Sequence, residues 1–286
     1  MSEKATRPPV VLTVAGSDSG GGAGIQADLK TFQELGVYGM SVITAITAQN
    51  SVGVQRIEPV SPPLVEAQLV SVLGDIGADA VKTGMLPTRA HVETVAAAIR
   101  RYKPKSLVVD TVYAAKDGSA LMGMDAFEAM QSMLLPLADV VTPNLPEACR
   151  LLGIRETDIR SIDDMEQAAI SLLSFGPRHV LLKGGHFAGA KEATDVFVGP
   201  STSEPARRMS GIRHATSHTH GTGCTTASAI AAFIAKGCTP EEACRQAKSF
   251  VSRAIAASFP TGAGTGSLWH GACRQSAICG NRNDVL

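Results

Sequence analysis

Two short segments carry residue types suited to holding an anion. The first is His218-Thr-His220-Gly221-Thr222-Gly223-Cys224, which opens an alanine-rich helical pattern. Gly221 and Gly223 there leave the backbone N–H groups of a helix N-terminus open to a ligand, and the helix dipole adds positive potential. A thiol at Cys224 is expected to ionise more easily than usual in that setting, the alternative being a plain buried thiol. A metal cluster of His214, His218 and His220 is the weakest reading, since no acidic residue lies nearby in sequence to orient them. The second segment is Lys183, which ends an apolar run and precedes Gly184-Gly185-His186. A lysine so placed can meet a phosphate as a point charge, or be a solvated turn lysine.

Carboxylates and amides mark other strand ends. Asp110 closes Val108-Val109 and is free to hold a cation, a water or a turn. In Thr142-Pro143-Asn144-Leu145-Pro146-Glu147 the spacing places Asn144 and Glu147 on one face of a first helical turn. Local propensity favours a capping box for that pair. A magnesium ion that keeps some of its waters nevertheless needs only one or two carboxylates and a phosphate, which Asp110 and Glu147 can supply. Gln49 ends another apolar run, where an amide can cap a turn or read a heterocycle edge. The run 15–24, Ala-Gly-Ser-Asp-Ser-Gly-Gly-Gly-Ala-Gly, suggests backbone packed against a small ligand. It lacks the lysine of a phosphate loop. The next strand also lacks the acid that a dinucleotide fingerprint needs for ribose.

These residues need a scaffold that gathers strand ends. Apolar runs at 10–14, 41–47, 80–82, 106–110, 139–141 and 179–183 read as strands. Between and after them, amphipathic stretches at 24–35, 62–73, 89–102, 125–134, from 144, 163–175, 222–236 and 240–258 read as helices. The segment 195–213 reads as shorter β structure. Such alternation implies an α/β fold, a mostly parallel central sheet with helices on both faces and ligands at the carboxyl ends of the strands.

Composition narrows the classes. The chain has 286 residues, 26 Lys plus Arg against 26 Asp plus Glu, and 44% hydrophobic residues. Zero formal charge gives no global field for nucleic acid or an anionic membrane. No apolar run is long enough to span a bilayer and no secretory leader is legible, so a soluble, cytoplasmic protein is expected. The six cysteines (Cys149, Cys224, Cys238, Cys244, Cys273 and Cys279) form no CxxC pair, which argues against a zinc site or a disulfide framework. Residues 1–270 are expected to form one domain, and 271–286 a flexible tail.

The segments AGSDSGGGAGIQADLKTF, TAITAQNSVGV, VKTGML, VVDTV, TPNLPEA, LLKGGH and HGTGCTTASAIAA occur in one order along residues 10–270. Together they resemble the ribokinase superfamily, and within it the hydroxymethylpyrimidine and phosphomethylpyrimidine kinases of thiamine biosynthesis. The resemblance implies a ribokinase-like fold and ATP-dependent phosphorylation of the hydroxymethylpyrimidine and then of its monophosphate. It implies a pyrimidine between Gly16, Asp28, Gln49 and Met85, with Val112 nearby. It further implies magnesium and nucleotide phosphates organised by Asp110, Asn144 and Glu147, with Lys183 and Thr222 on those phosphates. The backbone of residues 221–224 would form the anion hole, with Cys224 nearest the attacking hydroxymethyl. A homodimer is the family expectation. Cys224 stands where sugar kinases of the superfamily carry an aspartate, and Tyr113 where close relatives are expected to carry methionine. Pyridoxal kinase on the same fold, and a non-catalytic pyrimidine sensor, are the competing readings. Whether the loop 114–118 closes as a lid stays open.

Overall fold

The computed structural model describes residues 7–114, 118, 121–185, 187, 192–200, 205–272 and 274. The centre of the loop 114–118, His186, most of the tail 271–286, Cys273 and Cys279 lie outside the described residues.

Valine-rich β1 (Val10–Asp18) is the middle of the fold. It pairs in parallel with β2 (Tyr38–Asn50) on one side and β4 (Ala80–Thr83) on the other. Beyond β4 lie parallel β5 (Leu107–Val109), β6 (Val140–Val141) and β7 (His179–Leu182). Antiparallel β3 (Gly53–Pro59) extends the β2 edge, while β8 (Glu192–Val198) and β9 (Arg207–Ile212) extend the other. Among the described residues, the order β3-β2-β1-β4-β5-β6-β7-β8-β9 makes one sheet of nine strands. The chain moves outward from β1 to β3 and then returns to lay down β4. The strand order therefore reverses between β1 and β4, and a crevice opens above their carboxyl ends.

Strand alternation feeds two cores. Val10, Leu12, Val14, Val81 and Val109 face one side, covered by α2 (Pro62–Asp75), α3 (Arg89–Tyr102), α4 (Met124–Ala129), α5 (Leu145–Leu152) and α6 (Ile162–Leu172). Val11, Ala80, Val108, Val140 and Leu181 face the other side, under α1 (Gly24–Glu34), α7 (Thr222–Ala235) and α8 (Pro240–Ala256). Residues 225–232 of α7 are buried without a break, because that helix lies between the sheet and α8. Alanine, serine and threonine suit such a place, since small side chains let the helix lie close to β1, β4 and β5.

The helix expected over 125–134 is α4 followed by a π turn at Met130–Leu134, and that expected over 163–175 ends in a 3-10 turn. The sequence reading missed β3. Its residues are mostly half-buried or exposed, so they lack the apolar run that marks a central strand. The segment 195–213 resolves into β8 and β9. Among the described residues, no helix is long and apolar enough to cross a membrane.

Candidate functional site

The carboxyl ends of the parallel strands border a cavity of about 1030 Å³. Gly16 follows β1's apolar run, and a Cβ there would lie 3.0 Å from Met85 Sδ, so the two residues form one wall. Gln49 lies near the end of β2, Met85 just past β4 and Val112 past β5, and all three line the same cavity. The Gln49 amide is partly committed: its Oε1 accepts a 3.2 Å hydrogen bond from Thr47, and its Nε2 lies 3.5 Å from His220 Nε2.

The opposite end is built around charge. Lys183 Nζ lies 3.2 Å from Asp110 Oδ1, which also accepts a 3.1 Å bond from Thr142 Oγ1. Burial alone would push the Lys183 ammonium down, but Asp110 and Glu147 hold it above its ordinary value. A Cβ on Gly223 would sit 3.5 Å from Lys183 Nζ and 3.7 Å from Asp110 Oδ2, so the first turn of α7 lies directly over this pair. The Thr222 N–H is satisfied by Thr219 O at 3.3 Å. No acceptor for the N–H groups of Gly223 and Cys224 is found among the described residues. Gly221 starts the helix at φ +86°, a left-handed geometry that disfavours other residues. Thr222 and Cys224 complete the wall beside it.

Asn144 and Glu147 do form the capping box: Asn144 Oδ1 accepts from Glu147 N at 2.8 Å, and Glu147 Oε2 from Asn144 N at 2.9 Å. The cap does not exhaust the carboxylate. Glu147 Oε2 also accepts from Thr111 Oγ1 at 2.9 Å, while no hydrogen bond to Oε1 is found among the described residues. Burial, aided by nearby Asp110 and opposed by Lys183, pushes the Glu147 carboxyl up to about 7. Two neighbouring carboxylates with unfilled oxygen valence, facing a cavity with anion donors, are a donor set suited to a hard cation held partly through water. The described residues contain no cluster of three or more His, Cys, Asp or Glu that would enclose a metal.

Two expectations are corrected. Asp28, expected to pair with the pyrimidine, does not line the cavity. Its carboxylate is fully buried and engaged by Lys82, Thr13 and Ser228. Cys224, expected to ionise easily, has its thiol pushed up to about 11 by burial, against the favourable charge of Lys82. The glycine run also serves packing more than expected. A side chain at Gly22 would strike His220 and Ser267, and one at Gly221 would strike the Gly22 carbonyl. The two loops thus touch backbone to backbone.

Two residues of the site were not foreseen. Asp18 accepts N–H bonds from Gly20, Gly22 and Ala23 at 2.8, 3.0 and 2.8 Å, and His220 Nε2 lies 3.0 Å from its Oδ2. Burial alone would raise the Asp18 carboxyl, yet these donors hold it below the usual carboxylate range. Asp18 lies in the glycine-rich run 15–24, beyond the apolar stretch expected as a strand, and His220 is expected only as a weak candidate metal ligand. His214 and His218 are occupied elsewhere, with Ser252 and the Gly266 N–H respectively.

A family profile described as phosphomethylpyrimidine kinase matches residues 18–269. The chain belongs to the phosphomethylpyrimidine kinase family. It is 50% identical over 264 residues to a hydroxymethylpyrimidine/phosphomethylpyrimidine kinase of Streptomyces coelicolor, covering 92% of this chain and 95% of that one. It is 42% identical over 270 residues to the Bacillus subtilis enzyme of the same name, covering 93% and 96%. An ADP complex of Bacillus subtilis pyridoxal kinase superposes with a TM-score of 0.86 at 40% identity, covering 94% of this chain and 99% of that one. The pyridoxal kinase of Staphylococcus aureus in complex with AMP-PCP and pyridoxal gives 0.85 at 37%, covering 94% and 96%. The chain is thus a phosphotransferase of ribokinase-like fold, and relatives of that fold bind adenine nucleotides.

Proposed function

We propose that the protein transfers the γ-phosphoryl group of ATP to the hydroxymethyl oxygen of 4-amino-5-hydroxymethyl-2-methylpyrimidine, and then to the resulting monophosphate. The observation that carries this reading is the pair of N–H groups at Gly223 and Cys224, which meet no acceptor among the described residues and lie over Lys183 and Asp110 in the cavity that Gln49, Met85, Gly16 and Val112 also line. In the reaction the substrate oxygen forms a bond to phosphorus while the bond from phosphorus to the ADP oxygen breaks. The N–H groups of residues 223–224 and the Lys183 ammonium neutralise charge on the transferring group, a preorganised arrangement that needs no rearrangement as charge develops. Thr222 adds a hydroxyl to the same wall. Asp110 and Glu147, with Asn144 holding Glu147 in place, would bind magnesium; bound there, the ion would supply charge neutralisation for the phosphates.

The substrate hydroxyl must also lose its proton. A thiol pushed up to about 11 rests protonated at neutral pH, so Cys224 is not a resting general base. A loose phosphoryl-transfer transition state asks little of a base, which leaves Cys224 a lining role beside the anion hole while the hydroxyl proton passes to solvent or a phosphoryl oxygen as the bond to phosphorus forms. At the other end, Met85 offers an apolar surface to the ring and the Gln49 amide can donate and accept at its edge.

Pyridoxal kinase activity is the second reading, favoured by the two solved neighbours at TM-scores of 0.86 and 0.85. A coupled ATP assay with hydroxymethylpyrimidine, its monophosphate and pyridoxal in parallel separates them. Turnover of both pyrimidines well above pyridoxal is expected, whereas pyridoxal as the best acceptor overturns the proposal. Retention of ATP binding with no turnover of any acceptor would instead mark a sensor. A cytoplasmic homodimer is part of the same proposal, and light scattering on the purified chain tests its assembly.

A further inference from the structure

Thr13 on β1 and Lys82 on β4 are register partners, and both follow the alternation that sends Val11 and Ala80 into the α1/α7 core. The two helices meet this spot with matching four-residue spacings: Gly24 and Asp28 on α1, Cys224 and Ser228 on α7. They therefore face each other in two layers. In the upper layer the Gly24 N–H meets the Cys224 sulfur, and both residues line the cavity. In the lower layer Ser228 Oγ donates to Asp28 Oδ1 at 2.6 Å and Thr13 Oγ1 to Oδ2 at 2.6 Å. Lys82 Nζ completes that layer, 2.9 and 2.8 Å from the two carboxylate oxygens. All four lower-layer residues are sealed from solvent and from the cavity.

Removing two charges from water is costly, and a well-packed apolar pair often serves stability as well. An ion pair placed one helical turn behind the thiol of the anion loop therefore points to a task other than holding the fold. We propose that Asp28 and Lys82 are positioning residues for phosphoryl transfer, which lock the first turns of α1 and α7 together and set the charge behind the Cys224 sulfur. The inference rests on reading residues 221–224 as the phosphoryl-transfer loop. Burial acts against the Lys82 ammonium, but Asp28 holds it charged. The charged groups facing Cys224 are Lys82 and Lys183, which favour a thiolate, and Asp28 and Asp110, which oppose it. Asp110 acts on the thiol through charge alone.

Opposite signs make the test sharp. Ligand-free full-length protein is treated with iodoacetamide near pH 8, and modification of the Cys224 peptide is followed by mass spectrometry. Asp28→Asn removes the opposing charge and should speed alkylation, while Lys82→Met removes the favouring charge and should slow it. Each change should be roughly three- to tenfold per unit of thiol pKa, because lower basicity also lowers nucleophilicity. Both variants should lower kcat with the nucleotide KM little changed. Shifts in the same direction, or none, overturn the proposal. If a single variant fails to fold, the neutral pair Asp28→Asn/Lys82→Met takes its place. A folded double variant should alkylate near the wild-type rate yet lose kcat, and full kcat in it overturns the proposal. Alkylation requires no acceptor substrate, so this outcome stands apart from which pyrimidine or pyridoxal is phosphorylated.

Discussion

Replacing Glu147 by glutamine removes one negative charge from a buried site while keeping an oxygen acceptor for Asn144 N–H and the Thr111 hydroxyl. Burial, with Asp110 nearby, raises the Glu147 carboxyl from 4.5 to about 7. Between those pH values the folded protein keeps a proton that the unfolded chain has lost, so stability must fall as pH rises through that window. The stabilising share is fully present below about 4.5 and gone above about 7. At about 1.4 kcal/mol for each unit, the accumulated loss is on the order of 3 kcal/mol. Glutamine does not titrate, so Glu147→Gln should escape it. Urea unfolding in the presence of EDTA measures this directly. The variant should match wild type near pH 4 and exceed it by about 3 kcal/mol near pH 8. Its magnesium-dependent rate should nevertheless fall, with partial recovery at higher magnesium, because an amide is a poorer ligand than a carboxylate. A site that is destabilising when charged but needed for rate is what a cation-binding carboxylate requires. Parallel stability curves for the two proteins from pH 5 to 8 would refute the burial argument. A normal rate at low magnesium would reduce Glu147 to a helix cap.

Other perturbations separate the two ends of the cavity. Gln49→Ala should raise the pyrimidine KM roughly 5- to 150-fold, the equivalent of ~1–3 kcal/mol for an unmet buried partner, with ATP KM unchanged in steady-state kinetics. Cys224→Ser should keep measurable turnover, since the N–H groups of residues 223–224 stay in place. Gly223→Val should lose at least ~10²-fold in kcat, because its side chain would project toward Lys183 and Asp110, where the proposed reaction places the phosphate. Equal loss in the two folded variants, with ATP binding retained, would make the thiol essential. His220→Ala should cost ~1–3 kcal/mol in urea unfolding at neutral pH by stripping Asp18 of its side-chain donor, and an unchanged midpoint would dismiss that link.

The parallel sheet and its order along the chain were legible because central strands buried on both faces are nearly continuous β-branched runs. One edge was not: β3 is largely half-buried or exposed, so nothing in its composition separates it from a loop. At the site, Gly16, Gln49, Met85, Asp110, Val112, Asn144, Glu147, Lys183 and residues 221–224 were expected and all reach one cavity, because each lies at or near a strand end or helix start on the same side of the sheet. Asp28 was misplaced for the opposite reason. It lies one turn inside α1, and only the register of β1 against β4 reveals that Lys82 waits beneath it. A local reading sees an acid near a glycine loop; the cross-strand pairing that consumes the acid is separated from it by more than fifty residues.

The Cys224 thiol shows which effect governs when local and tertiary signals disagree. A helix N-terminus stabilises a neighbouring anion by typically 0.3–1 kcal/mol, and by roughly 2 kcal/mol in favourable partly buried geometries. That is worth about one pKa unit. Burial can oppose it by as much as ~3–5 units when the group is fully enclosed. The Gly24 N–H and the Lys82 ammonium both favour the thiolate, but Asp28 and Asp110 offset part of that gain, and the thiol ends up raised to about 11. The surrounding charges are nearly balanced in number, two ammonium groups against two carboxylates. Desolvation therefore decides the sign. An incoming polyphosphate would add negative charge beside the anion loop and oppose thiolate formation further. In the proposed reaction, proton loss from the substrate oxygen is accordingly easiest late in the transfer, when that oxygen has become acidic through its bond to phosphorus and the proton can pass to solvent or a phosphoryl oxygen, and the burden before that point falls on the N–H groups of residues 223–224 and Lys183.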